Sequence, residues 1–332
     1  MKLPIVNPNI TVYPIFSNPL SIILQNPYGL EWTYNNFHQL VCNDGLALSF
    51  YDFDYHNCSY ILVQKISKCF ISKLNKDIID FLIESLDYGY YLYLNINPKY
   101  IGVYNLPHSI DVHDIFIYGY SKCERLVYLA DCYVNGKYAY KECSFDEIRN
   151  GIKFINLKDE NYISLNGCIE LFSLVTKGEK LEAFDYKRVK DTLKDYLNSK
   201  PTVCSNVQDF KWKYGETYHC FGISCYKYIH KKINLLNRTI SFADFHILWE
   251  HKRHLANTLK YMINRRLIVD NKGVLYKTIS DISNKALCGR NLAIKCSIKY
   301  DNAIKEKLHL IYQEIETMEY YFLLELIEQY MK

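Results

Sequence analysis

The sequence lacks several features that would assign it to a large functional class at once. It has no apolar run of membrane-spanning length. Its charge is nearly balanced, with 40 Lys and Arg against 36 Asp and Glu. Its 12 cysteines form no Cys-x-x-Cys pair, and its 13 glycines form no phosphate-binding loop. These absences argue against a membrane protein, a P-loop protein and a nucleic-acid-binding protein with a concentrated basic face.

Residues 1–20 do not have the pattern of a secretory signal peptide. Four prolines interrupt residues 1–20, which lack the continuous apolar stretch of a signal peptide. We therefore expect a cytoplasmic protein whose thiols are reduced, without a disulfide framework. Apolar residues make up 49% of the 332 positions, which is enough for a sizeable core in one large domain or two ordinary ones.

Hydrophobic periodicity predicts an α+β region followed by a helical region. In the first region, helices are predicted at 32–42, 56–74 and 77–87, and strands at 20–24, 46–53 and 90–96. In the second region, charged amphipathic patterns predict helices at 184–198, 242–264, 277–296 and 301–330. We therefore predict an α+β domain over residues 1–155 and a mainly helical domain over residues 156–332.

A predicted β-hairpin is the most informative pattern in the first region. Apolar and aromatic residues alternate over 112–120, a polar turn follows at 121–124, and a second strand returns from 125. His113 opens the first strand and Asp131 closes the second, so the hairpin would bring them together at one edge of the sheet. The carboxylate would fix the tautomer of the ring and leave its other nitrogen free to act as a base. A surface hydrogen bond without catalytic role is the alternative.

The order of segments around this hairpin resembles a known enzyme family. IIDFLIESLDYGYYLYLNI at 78–96 precedes the His113 strand, and LVYLAD, NGKY and CSFDEI follow it. This order is similar to papain-like enzymes of the bacteriocin-processing peptidase branch. It is most similar to the butirosin biosynthesis protein H group, which are acyltransferase relatives found in thiotemplated peptide pathways. The resemblance implies a papain-like cysteine protease fold, a C-terminal α-helical domain and a Cys-His-Asp triad.

Such a triad needs a thiolate at the N-terminus of a helix, where backbone N–H groups and the helix dipole favour negative charge. Cys58 follows the candidate N-cap Asn57 and opens the helix predicted at 56–74. Cys42 is the alternative nucleophile, although it falls in the last turn of its predicted helix. Cys69 lies within a helix beside the apolar stripe, which is typical of a core residue.

The sequence departs from the family pattern at the position of the nucleophile. In the related peptidases the cysteine opens the first helix, and a Gln or Asn upstream lines the oxyanion hole. Here Trp32 or Thr33 stands at that helix start, while Gln25 and Asn26 lie at about the corresponding distance. The two amides are therefore oxyanion candidates, or simply a polar turn. Three alternatives stay open: the nucleophile has moved to the next helix, the alignment is different, or the site is inactive.

The resemblance implies a reaction as well as a fold. The expected function is N-acyl transfer from a thioester on the 4′-phosphopantetheine of a carrier protein to an amine, in nonribosomal peptide biosynthesis, without a cofactor of its own. The same residues would serve a cysteine peptidase or a thioesterase, and an inactive site would leave a binding protein. Four basic residues are candidates to contact an acidic carrier protein, with a solvated helix face as the alternative: Lys252, Arg253, Arg265 and Arg266.

Two clusters have part of the spacing of a metal site. One is HILWEHKRH at 246–254, and the other comprises His219, Cys220 and Cys225. Neither completes a zinc motif. A hydrogen-bonding helix explains the first cluster, and a glycine turn with buried thiols explains the second, so we expect no metal.

Overall fold

The structure, a computed structural model, describes residues 1–43, 47–51, 55–74, 76–104, 110–134, 137–155, 167–202, 218–235 and 242–331. It divides into two units, each built from two chain segments. Unit 1 comprises residues 1–30 and 54–182, and unit 2 comprises residues 31–53 and 183–332. The α+β class is confirmed as antiparallel sheets with helices and a C-terminal helical region. The domain boundary predicted at 155/156 stays a prediction, and residues 156–166 beside it lie outside the described ranges.

The elements are numbered in chain order. The helices are α1 (Pro14–Ile23), α2 (Gly29–Asn35), α3 (Lys68–Lys73), α4 (Ile78–Asp87), α5 (Phe145–Lys153), α6 (Tyr186–Leu197), α7 (Cys225–Asn234), α8 (Ala243–Asn264), α9 (Val274–Ile298) and α10 (Asn302–Glu325). The strands are β1 (Leu40–Asn43), β2 (Leu48–Phe50), β3 (Ile61–Ser67), β4 (Tyr91–Ile96), β5 (His113–Ser121), β6 (Leu126–Val134), β7 (Lys137–Ser144), β8 (Cys168–Leu174) and β9 (Tyr218–Phe221). The described residues also form short 3₁₀ turns at Tyr55–Asn57, Pro98–Tyr100 and Gly222–Ser224 and a π-helical turn at Leu326–Tyr330.

Unit 1 is built on a six-stranded antiparallel sheet in the order β3-β8-β4-β5-β6-β7. Successive residues of a strand point to opposite faces of a sheet. On one face, Leu94 and Ile115 join an aliphatic core with Leu82 of α4 and Ile148 of α5. The other face is aromatic and packs against α1. Both faces of the central strands are therefore buried, which explains the fully buried pattern of β4.

Helix α1 crosses the aromatic face from one end of the sheet to the other. Near its N-terminus, the Cys132 thiol donates a hydrogen bond to the Thr11 carbonyl oxygen over 2.9 Å. Just beyond its C-terminus, the Gln25 amide donates to the Tyr91 hydroxyl over 3.1 Å. Cys132 is near the end of β6, and β6 runs antiparallel to β5, so Cys132 lies at the end of the sheet where β5 begins. Tyr91, at the start of β4, lies at the opposite end. Helix α1 therefore starts at the end of the sheet where β5 begins.

Three of the secondary-structure predictions for the first 74 residues are wrong. The strand predicted at 20–24 overlaps helix α1, because Pro14 occupies a first-turn position that needs no N–H and the apolar side of the helix packs on the sheet. The helix predicted at 32–42 ends at Asn35, and a left-handed Phe37 precedes strand β1. The helix predicted at 56–74 is a turn, strand β3 and the short helix α3. Strand β3 forms because β8 pairs along its whole length.

Local signals predicted the neighbouring elements correctly. Helix α4 begins at the N-cap Asp77, whose carboxylate accepts from the Ile79 amide over 2.9 Å. Helix α5 begins with a capping box, in which Ser144 and Glu147 bond each other's backbone N–H groups. The hairpin is also confirmed, as strands β5 and β6, with β6 extending past Asp131.

Unit 2 contains a three-stranded sheet, in the order β2-β1-β9, and helices α8, α9 and α10, with α9 packed against both others. A buried ion pair lies within it. The Lys252 ammonium contacts the Glu319 carboxylate and lies 2.9 Å from the Tyr196 hydroxyl, and both charged side chains are fully buried. Lys252 therefore cannot contact a carrier protein, which corrects one of the sequence-based expectations.

We expect Glu319→Leu to destabilise the protein by about 3–5 kcal/mol, because it leaves the Lys252 charge buried without its counterion. The double variant Lys252→Met/Glu319→Leu should recover most of this loss. Urea unfolding measures both. The control, Glu314→Leu, breaks an exposed pair with Lys285 and should change stability by less than about 1 kcal/mol. Equal effects of the Glu319 and Glu314 substitutions would contradict this assignment.

Candidate functional site

The predicted histidine and carboxylate meet at one end of the unit 1 sheet. His113 Nε2 lies 2.8 Å from Asp131 Oδ2. Strand pairing produces this contact: Phe116 faces Ala130 across β5 and β6, so positions 113 and 131 are diagonal neighbours at the strand ends. The Asp131 side chain is 2% exposed and that of His113 is 23% exposed. The arrangement is a buried acid that holds a partly exposed imidazole.

Two further donors hold Asp131 in place. The Tyr104 hydroxyl donates to Asp131 Oδ2 over 2.8 Å, and the Cys132 backbone N–H donates to Oδ1 over 2.5 Å. The Tyr104 ring also packs edge-on against the His113 ring, with centroids 4.8 Å apart. Both partners of the dyad are therefore fixed by contacts outside the pair, as a base that must keep one orientation requires.

The geometry identifies which nitrogen of His113 can act as the base. A carboxylate accepts hydrogen bonds, so Nε2 carries the proton that Asp131 receives. Nδ1 lies 3.8 Å from Asp114 Oδ1, beyond hydrogen-bond distance. Burial opposes the charged ring, but the hydrogen bond to Asp131 and the charges of Asp114 and Asp131 outweigh it and raise the pKa of His113 above its ordinary value. The imidazolium is thus stabilised, which suits a proton acceptor.

Cys58 does not join this dyad. The expectation that it opens a helix is wrong, because it lies between a 3₁₀ turn and strand β3. Ser67, the last residue of β3, aligns through β8 and β4 with the end of the sheet that carries His113. Cys58 precedes the first residue of β3, and strands β8 and β4 lie between β3 and the His113 strand β5, so about 14 Å of sheet separates those two strands.

The chemistry of Cys58 also argues against a thiolate. Its side chain is 3% exposed, and burial raises the pKa of the Cys58 thiol to about 12, with the charge of Glu182 acting in the same direction. The N–H groups of Tyr60 and Ile61 lower this pKa only in part. At neutral pH Cys58 is therefore a protonated core residue.

The alternative nucleophile and the oxyanion candidates also have other roles. Cys42 belongs to strand β1 of unit 2 and is buried, and its hydrogen bond with Cys220 and its burial raise its pKa. The Gln25 amide is bonded to Tyr91, at the end of the sheet remote from His113. The Asn26 amide donates to the carbonyl oxygens of residues 176 and 179, both over 3.0 Å. Neither amide is placed to bind an oxyanion beside His113.

The thiol nearest to the dyad in sequence is one that sequence reasoning missed. Cys132 follows Asp131 directly, and its thiol donates to the Thr11 carbonyl oxygen, just before α1. A thiol that donates a hydrogen bond is protonated. Helix α1 itself opens with Tyr13 as N-cap and Pro14 as its first residue, so a cysteine does not occupy its N-terminus. The position of Cys132 directly after Asp131 was the only sign in the sequence that this thiol lies near the dyad.

The partial metal motifs are hydrogen-bonded clusters. His246 Nε2 lies 3.2 Å from Glu250, and the Arg290 guanidinium donates to His246 Nδ1 over 2.8 Å. The His219 side chain lies outside the described residues, while Cys220 and Cys225 are 3.9 Å apart. Within the described part of the chain, His, Cys, Asp and Glu side chains form no group of three or more that could hold a metal ion.

Comparisons with known proteins leave the family open. No protein-family model matches the chain, and no curated protein matches it. Among the described helices, none is long and apolar enough to cross a membrane. The chemistry of the site is therefore the basis for any functional conclusion.

The raised pKa of His113 can be measured by NMR titration of the ring resonances. We expect a midpoint above the ordinary value of about 6.5, and a lower midpoint in Asp131→Asn, because that variant removes the charge that stabilises the imidazolium. Asp146→Asn, an exposed acid paired with Arg149, is the control and should leave the His113 midpoint unchanged. A wild-type midpoint at or below 6.5 would contradict the assignment.

Thiol labelling tests the environment of Cys58. In native protein at pH 8, iodoacetamide should label the exposed Cys69, Cys123 and Cys288 first. Cys58 should stay unmodified until the protein is denatured, because its thiol is buried and protonated. Peptide mass spectrometry at successive times gives the order of labelling. If Cys58 were among the first cysteines modified, its thiol would be accessible and reactive, contrary to its assignment as a buried, protonated core residue.

Proposed function

We propose that this protein is an acyltransferase that joins an acyl group from a carrier-protein thioester to an amine, with His113 as general base. The observation that carries the proposal is the His113–Asp131 hydrogen bond of 2.8 Å, with the acid buried and the ring partly exposed. The proposal keeps the reaction implied by the family resemblance but removes the covalent cysteine step.

A thioester makes this chemistry accessible without a thiolate nucleophile. Its leaving group is a thiol of pKa about 8.5, far better than the amine that a peptidase must expel. The amine nitrogen attacks the carbonyl carbon, the C–N bond forms and the C–S bond breaks. His113 Nδ1 takes the proton of the attacking nitrogen and returns it to the departing thiolate, while Asp131 stabilises the imidazolium between these steps.

A papain-like fold is part of this proposal. One feature supports it: a buried helix, α1, lies across the antiparallel sheet and starts at the end that carries His113 and Asp131. There are two departures. Strand alternation puts the dyad on the aliphatic face and α1 on the aromatic face, and Tyr13 and Pro14, not a cysteine, begin this helix. We propose that the chain has a papain-like scaffold on which the histidine and the acid are kept and the nucleophile is dispensable.

The donor partner is proposed to be an acyl or peptidyl carrier protein of a nonribosomal pathway, which presents the thioester on 4′-phosphopantetheine. Three of the basic candidates are still eligible to contact it. Arg253 is 35% exposed and bonds Glu250, Arg265 pairs with Glu31, and Arg266 is exposed. Arg253 and Arg265 would have to give up these ion pairs to bind a carrier protein. Arg266 is therefore the first of the three residues to test.

Hydrolysis is the second candidate, because the partly exposed His113 ring is open to water. A thioesterase would use the same base to activate water instead of an amine. A binding protein without catalysis is the remaining alternative, and the remote position of Cys58 favours it over a cysteine peptidase.

A short acyl thioester of N-acetylcysteamine, offered with a panel of primary amines, tests the reaction. We expect amide formation that His113→Ala lowers about 10²- to 10⁴-fold, the usual contribution of a general base. The rate should rise with pH as His113 loses its proton, with a midpoint above the ordinary pKa of imidazole. Mass spectrometry separates the amide from the free acid.

Three variants complete the experiment. Cys58→Ala and Cys132→Ser should both still form the amide, and His309→Ala, in unit 2, is the histidine control that should keep the wild-type rate. Free acid as the sole product would favour the thioesterase. An acylated cysteine peptide, isolated from wild-type protein quenched during turnover, would contradict the proposal. The absence of turnover with any amine would also contradict it.

A further inference from the structure

Asp114 is a second acid beside the base, and the mechanism above does not use it. Its Oδ1 lies 3.8 Å from His113 Nδ1, on the side of the ring opposite the bond to Asp131. Its other oxygen accepts a hydrogen bond from the buried Tyr93 hydroxyl. The side chain is 20% exposed, close to the 23% of His113. Both side chains are therefore partly exposed.

The negative charge of Asp114 has little compensation. Among the described residues, the basic group within 4 Å of it is the His113 ring. Burial raises the pKa of Asp114, and the nearby charge of Asp131 acts in the same direction, while His113 lowers it. A cation beside Oδ1 would relieve this cost by pairing with the carboxylate.

Asn95 supplies an independent observation. It faces Asp114 across β4 and β5, so the two side chains are close neighbours on one face of the sheet. Asn95 is fully buried, and neither its side-chain oxygen nor its nitrogen has a hydrogen-bond partner within the described residues. The Lys68 ammonium bonds the Asn95 backbone carbonyl, over 3.3 Å, and not the side chain. Buried amides are normally satisfied, so an unpartnered one beside a carboxylate points to a ligand.

We propose that Asp114 and Asn95 form the binding site for the acceptor, and that this acceptor is a primary alkylammonium ion. The inference rests on the acyl transfer proposed above and names its acceptor. An ammonium group has three donors. One fits Asp114 Oδ1, one fits His113 Nδ1, and the third fits the Asn95 side-chain oxygen.

This placement also accounts for the proton. The bound ammonium must lose one proton before its nitrogen can attack a carbonyl carbon. That proton passes to His113 Nδ1, so the positive charge moves by one hydrogen bond and stays between Asp114 and Asp131. Nδ1 then releases this proton to solvent, and the neutral ring takes the second proton at Nδ1 during attack and delivers it to the departing thiolate. One acyl thioester and one ammonium ion give one amide, one thiol and one proton.

Binding of propylammonium, without any thioester, tests the site directly. Calorimetry and the His113 ring resonances should both report binding to wild-type protein. Asp114→Asn should weaken it by about 10- to 100-fold, the usual effect of losing a hydrogen bond to a charged group. Asp111→Asn, which removes an exposed carboxylate paired with Lys99, should leave the affinity unchanged. The isosteric alcohol, 1-propanol, should bind weakly to every variant.

A second variant keeps the test decisive if Asp114→Asn fails to fold. Asn95→Leu replaces an unpartnered amide with an apolar group of similar size, so it should raise the unfolding temperature while weakening propylammonium binding. Equal affinity in wild type and either site variant, or no propylammonium binding to wild type, would overturn the inference.

The two proposals fail separately. Amide formation that does not respond to Asp114→Asn would leave the acyltransfer intact and remove the ammonium site. Propylammonium binding that depends on Asp114, in a protein that never forms an amide, would support the site and remove the acyltransfer.

Discussion

The pairing of strands β5 and β6 is the constraint on which the site depends. It places His113 and Asp131 diagonally at the end of the sheet and buries the carboxylate under Tyr104. A buried carboxylate is unfavourable unless hydrogen bonds satisfy it, and here three donors do so. Burial makes the charged form of Asp131 costly. It also strengthens the attraction between this carboxylate and the His113 imidazolium, because water screens the pair poorly. The burial of Asp131 therefore determines both the hydrogen bonds that this site needs and the stabilisation of the imidazolium.

The thiols show the opposite consequence of burial. Cys58 and Cys42 are buried, and burial helps raise the pKa of both thiols. Protonated thiols pack well but are poor nucleophiles. For the proposed acyl transfer, a partly exposed base with no described thiolate beside it suits a substrate that is already activated, such as a thioester. It does not suit an amide, whose leaving group needs more help.

The sheet end carries two acids with different surroundings. Asp131 is satisfied by three donors, whereas Asp114 has the Tyr93 hydroxyl and an imidazole beyond hydrogen-bond distance. The first acid is therefore suited to orient and charge the ring. The second, with the unpartnered Asn95 beside it, is suited to a ligand that arrives as a cation. A single histidine between two such carboxylates can hold a proton in transit without separating charge over a long distance.

The sequence by itself determined the elements whose causes are local. The hairpin, helix α4 and the meeting of His113 with Asp131 depend on contacts within about twenty residues, which alternation and helical periodicity record. It also suggested Cys58, Gln25 and Asn26 by position along the chain. Tertiary structure alone decided against them, because β3 pairs with β8 about a hundred residues away and thereby turns a helical pattern into a strand. Asp114 and Asn95 escaped notice although only about twenty residues separate them, because a long connection and not a short turn joins β4 to β5, so the sequence pattern left the register of this pairing open.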